Sequence, residues 1–245
     1  MKAIDHLRVK LYADGANLRD MIALAQQPFI RGFTTNPTLM RKAGVSDYGR
    51  FARDVLAAIP DRPISFEVLS DDFVEMESQA LEIAGWGANV VVKIPVTNSD
   101  ARPSFGLIQR LSHNGVKVNV TAVMTVDQVK RAADALGGGA PSNISMFAGR
   151  IADTGLDPAP LVANALTAIA EYGSIELIWA SPRELLNIFQ ADALGCHIIT
   201  VTADLLNKLD CIGKPLDVFS LETVRMFRDD ALKAGYTLRG QGQLT

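Results

Sequence analysis

The chain has 245 residues, a formal net charge of -3 and an apolar fraction of 48%, the composition of a globular protein with a large core. That charge, with no cluster of Lys and Arg, leaves no footprint for nucleic acid, and no apolar run approaches the length of a membrane span, so neither partner is expected. The opening residues Met1-Lys2-Ala3-Ile4-Asp5-His6 lack the apolar core of a secretory signal, and Cys196 and Cys211 are expected as free thiols in a reducing cytoplasm.

From the N-terminus onward, short runs rich in β-branched residues alternate with longer segments of helical spacing. Strands are predicted at 9–13, 32–35, 64–68, 90–94, 116–121, 143–147, 175–180 and 197–201. Between them, apolar residues recur every three or four positions, as in Phe51, Val55, Leu56 and Ile59, or Leu161, Leu166 and Ile169. Pro103, Pro158 and Pro182 read as openers of the helices that follow them. Gly137-Gly138-Gly139-Ala140-Pro141-Ser142 is a turn rather than a tether between domains. This alternation calls for parallel strands joined by helical crossovers, and a single (β/α)8 TIM barrel is the favoured fold. An open doubly wound sheet is second, because Asp14-Gly15-Ala16-Asn17 does not supply its G-x-G-x-x-G turn. One barrel domain is expected over 1–245, with about 212–245 as a C-terminal helical extension. Within that extension Val218, Leu221, Val224, Met226 and Phe227 either cover the barrel's own wall or dock on a neighbouring subunit.

Barrels carry their active sites at the carboxyl ends of the strands, and polar residues gather there in nearly every unit. Asp14 ends the first strand and Asn36 the second. Glu67 lies in the third, Lys93 in the fourth, and Asn119 with Thr121 in the fifth. Ser145 and Arg150 bracket Phe147 at the sixth, and Ser181 with Arg183 follow the seventh. Each has a plainer reading: Asp14 and Asn36 as helix N-caps, Glu67 and Lys93 as halves of an ion pair, the arginines as surface salt-bridge partners. The most informative is Lys93. Its run, Asn89-Val90-Val91-Val92-Lys93-Ile94-Pro95, is that of a buried strand, where an unpaired lysine is pushed toward its neutral, nucleophilic form. Such an amine forms an imine with a ketone. Asp14 and Glu67 can then divide the proton transfers of carbon–carbon cleavage and imine formation, and two arginines suit a phosphate. His6, His113 and His197 are dispersed, and neither a metal nor another cofactor is expected.

From Leu11 to about Leu209 the chain resembles the transaldolase family, and its length is that of the short-chain branch that also contains fructose 6-phosphate aldolases. The resemblance rests on Thr34-Thr35-Asn36-Pro37-Thr38, Val92-Lys93-Ile94-Pro95, Phe147-Ala148-Gly149-Arg150-Ile151 and Ala180-Ser181. It implies Lys93 as the Schiff-base lysine, Asp14 as the acid/base at the carbon–carbon bond, and Glu67 with Thr121 as holders of the imine water. Asn36, Asn119 and Ser145 would hold the hydroxyls of a dihydroxyacetone unit, and Arg150 and Arg183, helped by Ser181, a phosphate. Glu67, Asn119, Ser145 and Phe147 are transaldolase-like, since aldolase members carry Gln and Tyr at the first and last of these positions and lack the Asn and Ser. Transfer between sedoheptulose 7-phosphate and glyceraldehyde 3-phosphate is therefore the expected reaction. A fructose 6-phosphate-type aldolase and a non-catalytic sugar-phosphate-binding barrel are the alternatives. Gly15 and Pro182 depart from the family pattern, and Pro182 leaves the anion open between phosphate and another group such as a sulfonate. Short-chain relatives suggest a ring-based homo-oligomer, a pentamer or decamer.

Overall fold

The computed structural model describes residues 3–236. Eight parallel strands close into a barrel in sequence order, β1 pairing with β2 on one side and β8 on the other. They are β1 (Lys10–Asp14), β2 (Ile30–Thr34), β3 (Ile64–Glu67), β4 (Val90–Pro95), β5 (Val118–Val123), β6 (Ser142–Met146), β7 (Ile175–Trp179) and β8 (Ile198–Thr202). All eight predicted strands are present, displaced by at most two residues at either end, and the barrel rather than the open sheet is the fold.

The helices are α1 (Leu18–Ala25), α2 (Pro37–Lys42), α3 (Tyr48–Ala58), α4 (Phe73–Ala84), α5 (Phe105–His113), α6 (Val126–Leu136), α7 (Ala148–Ala152), α8 (Pro158–Ala168), α9 (Leu186–Ala193), α10 (Ala203–Leu206) and α11 (Leu216–Ala234). Pro158 opens α8 as expected, capped by Asp157, whose carboxylate accepts from the Ala159 N–H. Pro103 and Pro182 do not open helices. Pro103 bridges to Thr97, and α5 begins only after Ser104; Pro182 lies in the loop ahead of α9. Both residues shape the loop that follows a strand at the rim of the barrel.

Period-two alternation places Phe33, Phe66, Val92, Ile94, Val120 and Ile144 toward the helix layer, all at most 1% exposed. Phe66 meets the edges of Tyr48 and Trp86 there. Inside the barrel, Tyr12, Ile178, Ala180 and Ile198 form an apolar cluster with Phe147 packed against it. Gly32 makes room for this floor: a Cβ on it would lie 2.5 Å from the Tyr12 ring.

The chain divides into two compact units, residues 1–207 and 208–245. The first holds the barrel. The second holds a 3₁₀ turn, Leu209–Cys211, and α11, which ends on Gly235 in the left-handed conformation (φ 67°). None of the α11 side chains is buried, and Val218, Leu221, Val224, Met226 and Phe227 are all exposed. The end of the expected extension, 237–245, lies outside the described residues. Among the described residues no helix is long and apolar enough to cross a membrane.

Candidate active site

Register brings the candidate residues level with one another. Asp14 stands opposite Thr34, Glu67 opposite Lys93, and Lys93 opposite Asn119. A cavity of about 490 Å³ opens at this end of the barrel. Asp14, Asn36, Glu67, Lys93, Thr121, Ser145, Phe147, Arg150, Ser181 and Arg183 all line it. Of the predicted site residues only Asn119 does not, because it lies fully buried one layer beneath.

Lys93 is buried, 6% exposed, but it is not unpaired. Its Nζ donates to the Thr35 carbonyl at 2.8 Å and lies 3.0 Å from Glu67 Oε2. Both the plainer reading, an ion pair, and the chemical reading, a lysine facing a cavity, therefore describe the same atoms. Glu67 is held from behind, its backbone carbonyl accepting from the Tyr48 hydroxyl at 2.9 Å.

Asn36 is the N-cap of α2, its Oδ1 accepting from the Leu39 N–H at 2.9 Å. The cap uses the amide oxygen only. Asp14 has no such duty, since α1 is capped by Asn17. Its carboxyl instead accepts from the Thr34 hydroxyl at 2.8 Å. Burial pushes it above the usual carboxylate range; the positive charge of Lys93 and the Thr34 hydrogen bond pull it back, and Glu67 adds to the rise.

Asn119 joins two strands' hydroxyls: its Oδ1 accepts from Ser145 Oγ at 2.7 Å and its Nδ2 reaches Ser65 Oγ at 3.3 Å. Thr121 is different. Its hydroxyl is buried and has no hydrogen-bond partner among the described residues, on a residue that lines the cavity. The strand kinks here: pairing with β6 slips between Val120 and Val123, and Ala122 adopts φ 61°.

The half of the cavity that carries the two arginines is built on a close backbone approach. Ser181 has φ 58°, unusual for a residue with a side chain, and a Cβ on Gly149 would overlap the Ser181 carbonyl oxygen. Gly149 thus lets α7 pack against the loop carrying Ser181 and Arg183, which brings Arg150 and Arg183 to one cavity. The arginines differ in state. Arg183 grips Asp153 with two nitrogens, Nε at 3.1 Å and Nη2 at the other carboxylate oxygen, whereas Arg150 is exposed and has no ion pair among the described residues.

Four contributors escaped sequence reasoning. Thr34 and Thr200 line the cavity and share a hydrogen bond, Thr202 lies beside them, and Asp153 holds Arg183. A threonine in a strand is ordinary, so beyond Thr34's place in the Thr34-Thr35-Asn36-Pro37-Thr38 motif the hydroxyls gave no signal. Only the register of β8, β1 and β2 reveals them.

The chain is similar to known proteins over most of its length. Residues 11–238 match the model of the family described as Transaldolase/Fructose-6-phosphate aldolase. A "Probable transaldolase" of Dehalococcoides mccartyi is 36% identical over 202 residues, 82% of this chain and 90% of that protein. Another, from Thermoanaerobacter sp., is 34% identical over 228 residues, covering 93% of this chain and 99% of the relative. The solved structure of a Burkholderia cenocepacia protein superposes with a TM-score of 0.59 at 15% identity, over 96% of this chain and 90% of that one, a likeness of fold alone. The family match over most of the chain, the near full-length similarity to these relatives and the closed barrel converge, and the chain belongs to the transaldolase/fructose-6-phosphate aldolase family.

Proposed function

We propose that the protein is a class I transaldolase that moves a dihydroxyacetone unit between sugar phosphates, from sedoheptulose 7-phosphate to glyceraldehyde 3-phosphate. The observation that carries this reading is Lys93 in the cavity, 3.0 Å from one carboxylate and level with the ring of strand ends that presents a second, Asp14. In the proposed sequence Lys93 hands a proton to Glu67 and its free amine adds to the donor ketone. Glu67, with a water held by the unpartnered Thr121 hydroxyl, carries the protons needed to lose the carbinol oxygen as water and leave a protonated imine. Asp14 then takes the proton of the hydroxyl on the far side of the scissile bond. That oxygen becomes a carbonyl, the carbon–carbon bond breaks, and its electrons pass into the imine to give an enamine. Addition of the acceptor aldehyde and hydrolysis run the steps backward.

Asn36 has an amide nitrogen free of its cap, and Ser145, oriented by Asn119, has a hydroxyl in the cavity; both suit the hydroxyls of the three-carbon unit. Arg150, Arg183 and Ser181 suit the phosphate at the other end. Phe147 places a hydrocarbon edge where a tyrosine hydroxyl would assist hydrolysis, so the enamine is left for an aldehyde. The chain acts as a single barrel domain with a helical extension, as a cytoplasmic ring-based homo-oligomer, and the exposed apolar side chains of α11 favour that assembly.

Transfer and cleavage are separated by supplying fructose 6-phosphate with and without erythrose 4-phosphate. Sedoheptulose 7-phosphate and glyceraldehyde 3-phosphate are expected only with the acceptor. Free dihydroxyacetone released at a comparable rate without it would establish the aldolase reading instead.

A further inference from the structure

Asp14 is one end of a chain of hydroxyls that the reaction described above does not require. Thr34 Oγ1 donates to Asp14 Oδ1 at 2.8 Å, and Thr34 Oγ1 in turn makes a short hydrogen bond with Thr200 Oγ1. The three residues come from three adjacent strands, β1, β2 and β8, and the two threonines are 3% and 6% exposed. So little water reaches them that each must find its partner in the protein.

The direction of the chain follows from proton counting. An ionised carboxylate only accepts, and a threonine hydroxyl has one proton to give. Thr34 spends its proton on Asp14, so at the second contact Thr200 is the donor and Thr34 the acceptor. Polarisation runs one way, from Thr200 through Thr34 to Oδ1, and each bond strengthens the next.

We propose that Thr34 and Thr200 are positioning residues that hold Asp14 Oδ1 and leave Oδ2 as the oxygen that exchanges a proton with the substrate. The inference rests on Asp14 being the base of the proposed reaction. In cleavage the hydroxyl proton passes to Oδ2 while its O–H electron pair forms the new carbonyl; in the reverse direction Oδ2 returns that proton to the oxygen of the acceptor aldehyde. Oδ1 keeps the Thr34 bond throughout, so the carboxylate plane does not swing between the two half-reactions.

Other charges act on Asp14 as well. Lys93 on β4 favours its ionised form and Glu67 on β3 opposes it, while Arg150 and Arg183 face it across the cavity. A second cleft on its outer side carries Asp20, Lys42 and Asp204. The substitutions below leave all of these in place. Burial already raises the carboxyl, so removing the Thr34 donor raises it further.

The test titrates the Asp14 carboxyl by ¹³C NMR in the full-length protein and compares it with the acid limb of kcat/KM. Thr34→Val is expected to move the Asp14 midpoint up by about one pH unit, a roughly tenfold change in proton affinity for a lost charge-assisted bond. Thr200→Val moves it the same way by less, and the acid limb follows in both. Thr34→Ser and Thr200→Ser, which keep the hydroxyls, restore the wild-type midpoint. A midpoint unmoved in Thr34→Val, or moved while the acid limb stays fixed, overturns the proposal; an unmoved Thr200→Val midpoint removes Thr200 from it. Should Thr34→Val fail to fold, the Thr200 pair decides. Because the NMR midpoint is read without turnover, a wild-type protein that forms no imine at Lys93 would refute the proposed reaction separately.

Discussion

Asp14 is a residue at which function and stability pull apart. Its carboxyl is raised in the folded state, chiefly by burial, so the folded protein holds the proton more tightly than the unfolded chain does. Below the ordinary aspartate range both states are protonated and nothing is lost; as pH climbs through that range and past the folded value, ionisation in the folded state costs stability. Asp14→Asn removes the charge and keeps an acceptor for Thr34. The substitution is therefore expected to raise the melting temperature at neutral pH, an advantage that shrinks as pH falls toward the ordinary aspartate range. It is also expected to lower turnover by roughly 10²- to 10⁴-fold, the usual contribution of a general base. A lower melting temperature at neutral pH, measured by calorimetry, would contradict the burial account. Lys93 teaches a related lesson: its place in an apolar run betrayed it in the sequence, but its two partners, Glu67 and the Thr35 carbonyl, sit 26 and 58 positions away and become visible only through strand register.

At the scale of elements, the alternation of strand and helix was legible because burial on both faces makes each strand a short apolar run. Prolines were less reliable guides. Pro158 follows a capping aspartate and opens α8, but Pro103 and Pro182 occupy rim loops, Pro103 held there by its bridge to Thr97. Asp14 and Asn36 look alike at strand-to-helix turns, yet only Asn36 caps, because Asn17 stands nearer the start of α1. The packing of α7 against the loop after β7 likewise depends on a gap that no pattern announces, the missing Cβ of Gly149. Gly149→Ala forces that backbone apart and is expected to cost about 1–3 kcal/mol of stability. Its sharper effect is on the anion half of the cavity: KM for phosphorylated sugars should rise at least about tenfold, a loss of roughly 1.4 kcal/mol of binding. Imine formation with unphosphorylated dihydroxyacetone should be preserved. Equal losses for both substrates, in steady-state assays and trapping, would show that Gly149 supports the whole barrel instead.

Over the whole molecule, a barrel of eight parallel strands gathers side chains from positions 14 to 202 into one cavity, and this is why a site dispersed through the sequence could be anticipated from strand ends alone. The helix α11 was also legible, within the extension expected at about 212–245, because its amphipathic spacing is independent of any partner. What the pattern did not convey is the asymmetry between the arginines. Arg183 is committed to Asp153 and Arg150 has no ion pair among the described residues, so the proposed phosphate would meet one unengaged guanidinium and one held in a fixed plane. The central claim, an imine on Lys93, is tested most directly by borohydride reduction in the presence of fructose 6-phosphate, followed by native mass spectrometry and peptide mapping. The account predicts one reduced three-carbon adduct per 26.4 kDa chain, located on Lys93 and absent from Lys93→Ala. An unmodified Lys93 in protein that remains folded would contradict it.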